Sequence, residues 1–139
     1  MPMRCASIAA SSASHVGLVS SHNEDRYASD TQLGLWVIAD GMGGHVAGEI
    51  ASQLAIETIV SSFRSGSNLL EAVSAAHPVI LEAMQNNTAL AGMGTTVVAA
   101  QLDGLRYQIA WSGDSRCYLW SDNKLKLLTR DHSLSLIHI

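Results

Sequence analysis

A short apolar run that ends in a carboxylate and three glycines constrains this chain more than any other feature. Residues 35–39 are apolar and predict a buried strand, which stops at Asp40. Gly41, Gly43 and Gly44 follow, and a helical pattern begins shortly after them. A carboxylate at a strand end, beside backbone that no side chain shields, is a typical way to hold a hard cation. An Asp-Gly turn explains the same residues equally well, and both interpretations stay open at this point.

Two helices are predicted in the middle of the chain. Apolar positions from about residue 46 to about residue 63 recur with the three- and four-residue spacing of an amphipathic helix. Asn68, with Glu71 three residues later, predicts a capping box at the start of a second helix. Pro78 lies inside this second helix and is expected to kink or split it near His77.

Strand patterns precede and follow these helices. Residues 5–19 are expected to form an edge strand, and residues 33–39 a second strand. After the helices the periodicity changes to that of short strands, with Asp103-Gly104 as a strong hairpin signal between two of them. Consecutive strands with short links indicate antiparallel sheets, so the predicted class is α+β in one domain. The predicted strands after the helices cover residues 95–102, 105–111, 115–120 and 125–128.

Composition argues against several kinds of function. The 139 residues carry 12 acidic and 8 basic side chains, and the formal net charge of −4 argues against nucleic acid or an anionic membrane as a partner. No apolar run approaches the length of a membrane span, and the N-terminus lacks the apolar core of a signal peptide. Cys5 and Cys117 are too few for a disulfide framework or a zinc site. We therefore expect a cytoplasmic protein with reduced thiols.

Six short motifs follow one another along the chain. They are His15-Val16-Gly17, Asn23-Glu24-Asp25, Ala39-Asp40-Gly41-Met42-Gly43-Gly44-His45 with Gly48-Glu49, Gly94-Thr95-Thr96, Gly113-Asp114-Ser115-Arg116, and Leu128-Thr129-Arg130-Asp131-His132-Ser133. Together they resemble the metal-dependent serine/threonine protein phosphatases, the type 2C or PPM family, in their bacterial form. Any single motif is weak, but six in the family's order at plausible spacing are very specific. The resemblance runs from about Ser14 to Ser133.

The resemblance implies a fold, a reaction and partners. The family fold is a four-layer α-β-β-α sandwich, in which helices flank two antiparallel sheets. The reaction is hydrolysis of phosphoserine and phosphothreonine in proteins by a metal-activated water, with Mg²⁺ or Mn²⁺ as the cofactor. The candidate site lacks clustered His and Cys, which also favours these metals over zinc. The expected partners are a phosphorylated protein substrate and a cognate serine/threonine kinase pathway, with no nucleic acid and no membrane.

The resemblance also implies roles for five residues. Asp40 would bridge two metal ions, and the Gly41 carbonyl would bind one of them. Glu24 and Asp25 would be catalytic and part of the metal site, because they would hold metal-bound waters. Asp114 would help to bind a weaker third ion, although a turn residue in Gly-Asp-Ser-Arg explains it without that context. Two cations that share a carboxylate can supply hydroxide near neutral pH and neutralise the phosphoryl oxygens.

Two departures from the family leave other interpretations open. The family has an arginine three residues before Asn23-Glu24-Asp25, where it grips the substrate phosphate, and this chain has Ser20. The family domain continues past Ser133, whereas residues 134–139 of this chain do not continue the expected helix. Because the later strands of the family domain would then be missing, residues 95–102 are expected to form an unpaired sheet edge. We interpret the whole chain as the N-terminal half of a phosphatase domain, inactive by itself. The alternative is a non-catalytic relative that binds phosphoproteins or has a regulatory role.

Overall fold

The computed structural model describes residues 7–44 and 46–131, and the backbone of residues 135–138. Strands come first, helices follow, and a series of strands completes the described part of the chain. The strands are β1 (Asp25–Asp30), β2 (Leu35–Met42), β3 (Gly94–Thr95), β4 (Val97–Asp103), β5 (Arg106–Ser112), β6 (Tyr118–Ser121), β7 (Lys124–Leu127) and β8 (Ser135–His138). The helices are α1 (Ala47–Arg64), α2 (Leu69–Ser74) and α3 (Ala76–Asn86), with a 3₁₀ turn at Thr88–Leu90.

One antiparallel sheet organises the molecule. Its strands lie in the order β1-β2-β4-β5-β8, and the short β3 pairs with the end of β2. The register between β1 and β2 places Asp25 opposite Asp40 and Asp30 opposite Leu35. A two-residue link joins β4 to β5, and its first residue, Gly104, has a φ of 61°. A positive φ there fits the primed turns that match the twist of a hairpin.

The helices cover one face of this sheet. Every second residue of β2 points into the interface, and Leu35, Val37 and Ala39 are at most 1% exposed. From α1, Ala51 and Ile59 pack against them and are fully buried. Burying a large aliphatic side chain of this kind contributes about 1.5–3 kcal/mol. This interface fixes the end of β2, where Asp40 lies, relative to the start of α1.

A smaller apolar cluster lies on the opposite face. Val98 of β4, together with Ile109 and Trp111 of β5, packs with Leu128 and with residues of the β6–β7 hairpin. The indole Nε1 of Trp111 donates a hydrogen bond of 2.7 Å to the carbonyl oxygen of Arg130. The hairpin forms a two-stranded sheet of its own. Helices, main sheet and hairpin therefore form three stacked layers.

The second face of the main sheet is covered unevenly. The hairpin covers β4 and β5, whereas on β1 and β2 the side chains of Tyr27 and Ile38 remain 47% and 52% exposed. These two residues lie directly opposite each other in the β1–β2 ladder. None of the helices in the described ranges is long and apolar enough to span a lipid bilayer.

The predicted class and most predicted elements are confirmed. Antiparallel sheets with helices make the described chain α+β, and the first predicted helix is α1. The capping box forms, because Asn68 accepts from the Glu71 N–H while the Glu71 carboxylate accepts from the Asn68 N–H. The second predicted helix splits into α2 and α3 at Ala75. Pro78 then lies in the first turn of α3, where a missing N–H leaves no helical bond unmade.

Two expectations about strands were wrong, and one strand was not predicted. Residues 7–19, the described part of the predicted edge strand, contain no strand, because none of the described strands pairs with the outer side of β1. The strand β1 itself was not predicted, since its mostly polar sequence gives no alternating apolar signal. Residues 95–102 are not an exposed edge either, because β4 lies between β2 and β5.

Candidate functional site

Two aspartates meet at one end of the β1–β2 ladder. Asp25 begins β1, Asp40 lies near the end of β2, and the register places them opposite each other. Their carboxyl groups lie near enough for the Asp25 carboxyl group to raise the pKa of Asp40. Burial is the largest cause that raises the pKa of Asp40 above 3.8, and the neighbouring Asp25 carboxyl group and the charges of Asp114 and Glu24 raise it further. The pair therefore sits in an excess of negative charge that a cation would neutralise.

Glu24 is fixed against the start of α1. Its carbonyl oxygen accepts hydrogen bonds from the Gly41 N–H at 3.1 Å and from the Ser52 hydroxyl at 2.7 Å. A Cβ atom added to Gly48 would lie 2.6 Å from the carboxyl carbon of Glu24, so this carboxylate rests directly on the first turn of the helix. The positive end of the helix dipole favours a carboxylate in that place. The geometry thus holds Glu24 beside the paired aspartates.

Asp114 lies directly after β5, in the turn Gly113–Ser115, which we call the Asp114 turn. It lies near enough for its charge to raise the pKa of Asp40. Thr96 connects this turn with β2. The Thr96 N–H donates to the Asp40 carbonyl oxygen at 2.9 Å, and the Asp40 N–H donates to Thr96 Oγ1 at 3.2 Å. Thr96 Oγ1 also shares a hydrogen bond of 2.6 Å with Ser115 Oγ.

A cavity of about 440 Å³ opens beside the acidic residues. Ser20 lines this cavity together with Asp25 and Asp40, so the residue at the position of the family arginine shares a cavity with the paired aspartates. The lining is mostly polar, as a site for a charged ligand requires. The other lining residues are His15, Val16, Val19, Ser21, His22, Asn23 and Glu24.

Arg26 is the basic side chain nearest to Asp25 in sequence, and its contacts lie within the acidic loop. Its Nη1 donates to the carbonyl oxygens of Asn23 and Asp25, at 2.7 Å each. Its Nη2 lies 3.8 Å from Oε2 of Glu49, whose Oε1 is 3.3 Å from Nδ1 of His22. Arg26 therefore stabilises the loop that carries Glu24 and Asp25. Its guanidinium is already engaged and is poorly placed to substitute for the family arginine.

The acidic residues are close together but do not form a finished metal cage. Throughout the part that the structure describes, no group of three or more His, Cys, Asp or Glu side chains is arranged to hold a metal ion. Asp25 and Asp40 are in direct contact, whereas Glu24 and Asp114 act on Asp40 through their charges. Backbone carbonyls and waters commonly complete the coordination of Mg²⁺ and related hard cations. An all-oxygen set with Gly41 next to Asp40 fits such a hydrated cation better than zinc.

Two residues that shape this site, Ser52 and Thr96, were not predicted from the sequence. Ser52 is fully buried within the apolar face of α1, where a polar side chain needs a partner and finds the Glu24 carbonyl. Its signal in the sequence is a serine at a position that the helical pattern assigns to the core. Thr96 was part of a quoted motif, but no role was assigned to it. His45, the remaining polar residue of the glycine-rich segment, lies outside the described residues.

Comparison with known proteins identifies related chains. The family model described as Protein phosphatase 2C matches residues 5–137. The serine/threonine phosphatase stp of Listeria welshimeri is 35% identical over 131 residues, which cover 85% of this chain and 52% of that protein. The serine/threonine protein phosphatase PstP of Mycobacterium tuberculosis is 40% identical over 121 residues, which cover 83% of this chain and 23% of PstP.

Solved structures give the same relationship. The crystal structure of the Mycobacterium tuberculosis phosphatase PstP/Ppp superposes with a TM-score of 0.78 at 38% identity, covering 86% of this chain and 52% of that one. The PstP catalytic domain in complex with two manganese ions gives the same TM-score and identity, over 86% of this chain and 54% of that one. The chain therefore spans about half the length of these structures.

Proposed function

The chain belongs to the protein phosphatase 2C family, and from this premise we propose that it forms part of a metal-dependent protein phosphatase. The proposed reaction is hydrolysis of phosphoserine and phosphothreonine in proteins, with Mg²⁺ or Mn²⁺ as the cofactor. The observation that carries the proposal is the contact between Asp25 and Asp40. Two adjacent carboxyl groups at a cavity wall form a site at which a divalent cation can neutralise the negative charge.

We assign the site residues from the family pattern and from their placement. Asp40, with neighbours on three sides that raise its pKa, is the proposed ligand shared by two ions, and the Gly41 carbonyl is a ligand to one of them. Asp25 and Glu24 are proposed to act through water, and Asp114 to support a third, weaker ion. When bound, divalent cations acidify water and neutralise phosphoryl oxygens. The protein contributes the fixed positions of the carboxylates on β1, β2 and the Asp114 turn.

The cavity beside these residues is the proposed place of the substrate phosphate. Ser20 lines it and offers a single neutral hydroxyl where the family has a bidentate cation. We propose that phosphate capture is weaker here than in relatives with the arginine. The substrate class is a phosphorylated protein, supplied by a serine/threonine kinase. We place the activity in the cytoplasm, where the thiol of Cys117, unbonded and with a pKa raised by burial, would stay reduced.

A second candidate function is a non-catalytic module that binds phosphoproteins. Two observations argue against catalysis and so favour a non-catalytic or regulatory role: Ser20 replaces the cation that binds the substrate phosphate, and Arg26 is bonded to the loop backbone. Such a module would bind phosphopeptides without releasing phosphate. The chain also spans only about half of the related structures. The activity of the whole enzyme is therefore assigned to a longer protein of which this chain would be the N-terminal half.

The proposed function is tested in two steps. Mn²⁺ added to the chain should broaden the NMR signals of the Asp25 and Asp40 amides, and Asp40→Asn should abolish that effect. A completed chain, in which the C-terminal half of the PstP catalytic domain follows Asp131, should then release phosphate from phosphothreonine peptides in the presence of Mn²⁺. Binding of the peptide without release would support the non-catalytic module. Mn²⁺ broadening that is absent, or indifferent to Asp40→Asn, would contradict the metal site.

A further inference from the structure

Thr96 holds the backbone of Asp40 from two sides. It lies between β3 and β4, is 5% exposed, and its N–H donates to the Asp40 carbonyl oxygen. In return, its Oγ1 accepts from the Asp40 N–H. Both main-chain polar groups of Asp40 are therefore bonded to one residue, 56 positions away in sequence. This contact determines where Asp40 lies at the end of β2.

The same side chain contacts the Asp114 turn. A hydroxyl has one proton and two lone pairs, so Thr96 Oγ1 can accept from Asp40 and still donate to Ser115 Oγ, 2.6 Å away. The other branch of the side chain is equally close. A Cβ atom added to Gly113 would lie 2.7 Å from the Thr96 Cγ2, so this methyl group rests on the backbone of the turn. Ser115 and Gly113 flank Asp114 on both sides.

We propose that Thr96 is a positioning residue that sets the spacing between Asp40 and Asp114, and through it the affinity of the site for divalent cations. The inference rests on the proposed metal-dependent function. Its physical basis is that one small, buried, β-branched side chain bonds Asp40 with its hydroxyl and supports the Asp114 turn with both branches. A β-branched side chain has few rotamers, so neither contact can move without the other.

Thr95 provides a matched control for Thr96. Its hydroxyl donates to the Thr96 carbonyl oxygen at 2.8 Å, within its own segment of chain. Thr95→Val and Thr96→Val therefore remove the same atom from adjacent residues at nearly constant volume. Thr96→Ser keeps the hydroxyl and loses only the methyl group. Ser115→Ala removes the hydroxyl contact between Thr96 and the Asp114 turn, and leaves the methyl contact with Gly113 and the bond to the Asp40 N–H in place.

The first experiment needs no metal. Amide hydrogen exchange and NMR chemical shifts are measured on the chain and its variants in the presence of a chelator. In Thr96→Val, the Asp40 amide should exchange about tenfold faster, because it has lost its acceptor, and the signals of the Asp114 turn should shift. Thr95→Val should resemble the unmodified chain in both respects. Thr96→Ser should keep the slow exchange at Asp40, because it keeps the hydroxyl, and should still shift the signals of the Asp114 turn, because it has lost the methyl group that rests on the turn. Unchanged exchange at Asp40 together with an unchanged turn in Thr96→Val would overturn the proposal.

The second experiment uses Mn²⁺ alone as the probe. Thr96→Val should need about tenfold more Mn²⁺ for half-maximal broadening at Asp40, a loss typical of groups that orient metal ligands. Ser115→Ala should weaken broadening at Asp114 and leave that at Asp40 within about twofold. A wild-type Mn²⁺ midpoint in Thr96→Val overturns the proposal. If the unmodified chain shows no Mn²⁺ effect, the proposed metal function fails, and the metal-free experiment still decides whether Thr96 positions Asp40.

Discussion

At the scale of single residues, the central feature is the close approach of two carboxyl groups. The ladder register brings Asp25 and Asp40 together, and burial followed by the neighbouring carboxyl groups raises the pKa of Asp40. Folding therefore places Asp40 in a less favourable environment than it has in the unfolded chain. Sites that bind ligands are often strained in this way, and the ligand removes the strain.

The raised pKa of Asp40 predicts a pH dependence of stability. Between 3.8 and its raised pKa, the folded chain binds more protons than the unfolded chain. The free energy of unfolding therefore falls as pH rises through that window and stays lowered above it. We expect Asp40→Asn, which cannot ionise, to have a higher Tm than the unmodified chain at neutral pH without metal. The difference should shrink as the pH approaches 3.8.

Thermal unfolding of the unmodified chain and of Asp40→Asn, at neutral pH and near pH 3.8 with a chelator present, measures this difference in Tm. Asp30 has a lowered pKa, mainly because its carboxylate accepts from the Leu33 N–H. Its stabilising contribution is present above the ordinary aspartate value and is lost as pH falls through the lowered pKa. The unmodified chain and Asp40→Asn share this contribution of Asp30, so it cancels when their Tm values are compared. A lower Tm of Asp40→Asn at neutral pH would contradict the interpretation.

Ser20 gives a second prediction at this scale. In the completed chain, Ser20→Arg should raise kcat/KM, mainly by lowering KM, since an added charged hydrogen bond contributes about 1.5–3 kcal/mol, or roughly ten- to a hundredfold. Ser20→Lys is the matched control and should gain less, because an ammonium group cannot bind phosphate in a bidentate way. Steady-state kinetics on a phosphopeptide measure both. Equal kinetics for all three proteins would mean that another residue already binds the phosphate.

At the scale of elements, the start of α1 is shaped around Glu24. Gly48 lies in the first turn of this helix, where alanine would be the better helix former by about 1 kcal/mol. An added methyl group would nevertheless meet the Glu24 carboxylate, with its carboxyl carbon at 2.6 Å. Alanine at this position would favour the helix, whereas glycine leaves room for the Glu24 carboxylate. The sequence has the residue that the site requires.

Gly48→Ala should separate these two demands. Glu24 ends in a flexible side chain that can move aside, so we expect the Tm to stay within a few degrees or rise. Mn²⁺ affinity should fall by about tenfold, as for other changes that displace a ligand partner. Ser61→Ala, at an exposed position of the same helix, is the control for helix propensity and should leave Mn²⁺ binding unchanged. Unaltered Mn²⁺ affinity in Gly48→Ala would show that the position of Glu24 is not important for the site.

The elements also show how far the sequence could predict the structure. Helix α1, the division of the second helix and the β4–β5 hairpin have local signals, namely apolar spacing, a proline and Asp-Gly, and these predictions are confirmed. The strand β1 has no such signal, because it is held by pairing with β2 and not by its own polar residues. The roles of Thr96 and Ser52 depend on the register of distant segments, which no local pattern encodes. Asp40 had a local signal, a carboxylate at a strand end beside glycines, whereas the roles of Glu24, Asp25 and Asp114 were predicted through the resemblance of their motifs to a family.

At the scale of the whole molecule, apolar surface is left on the second face of the main sheet and on the hairpin. Tyr27 and Ile38 are about half exposed on the sheet, and Trp120 and Leu125 are 66% and 63% exposed on the hairpin. These residues oppose each other pairwise across their ladders. Trp36 Nε1 and the Tyr107 hydroxyl are also buried without a hydrogen-bond partner among the described residues. Exposed apolar patches such as those on the sheet and the hairpin are typical of a face that another segment of protein covers.

We predict that the 139-residue chain by itself does not hydrolyse phosphoproteins. It spans about half of the related phosphatase structures, and among its described residues no ready-made metal cage exists. Purified and assayed with Mn²⁺ and a phosphothreonine peptide, it should release no phosphate above background, whereas the completed chain should. Asp40→Asn in the completed chain is the matched negative control. Turnover by the 139-residue chain that depends on Asp40 would refute this prediction.

The register of β1 against β2 has a further consequence, for insertions and deletions. Five residue pairs lie between the Asp25–Asp40 pair and the turn at residues 31–34. Successive residues of a strand point to opposite faces, so one inserted residue within these pairs would turn Asp25 towards the helices and away from Asp40. An insertion within the turn shifts no pair. Changes of chain length in this hairpin are therefore compatible with the acidic pair only at residues 31–34.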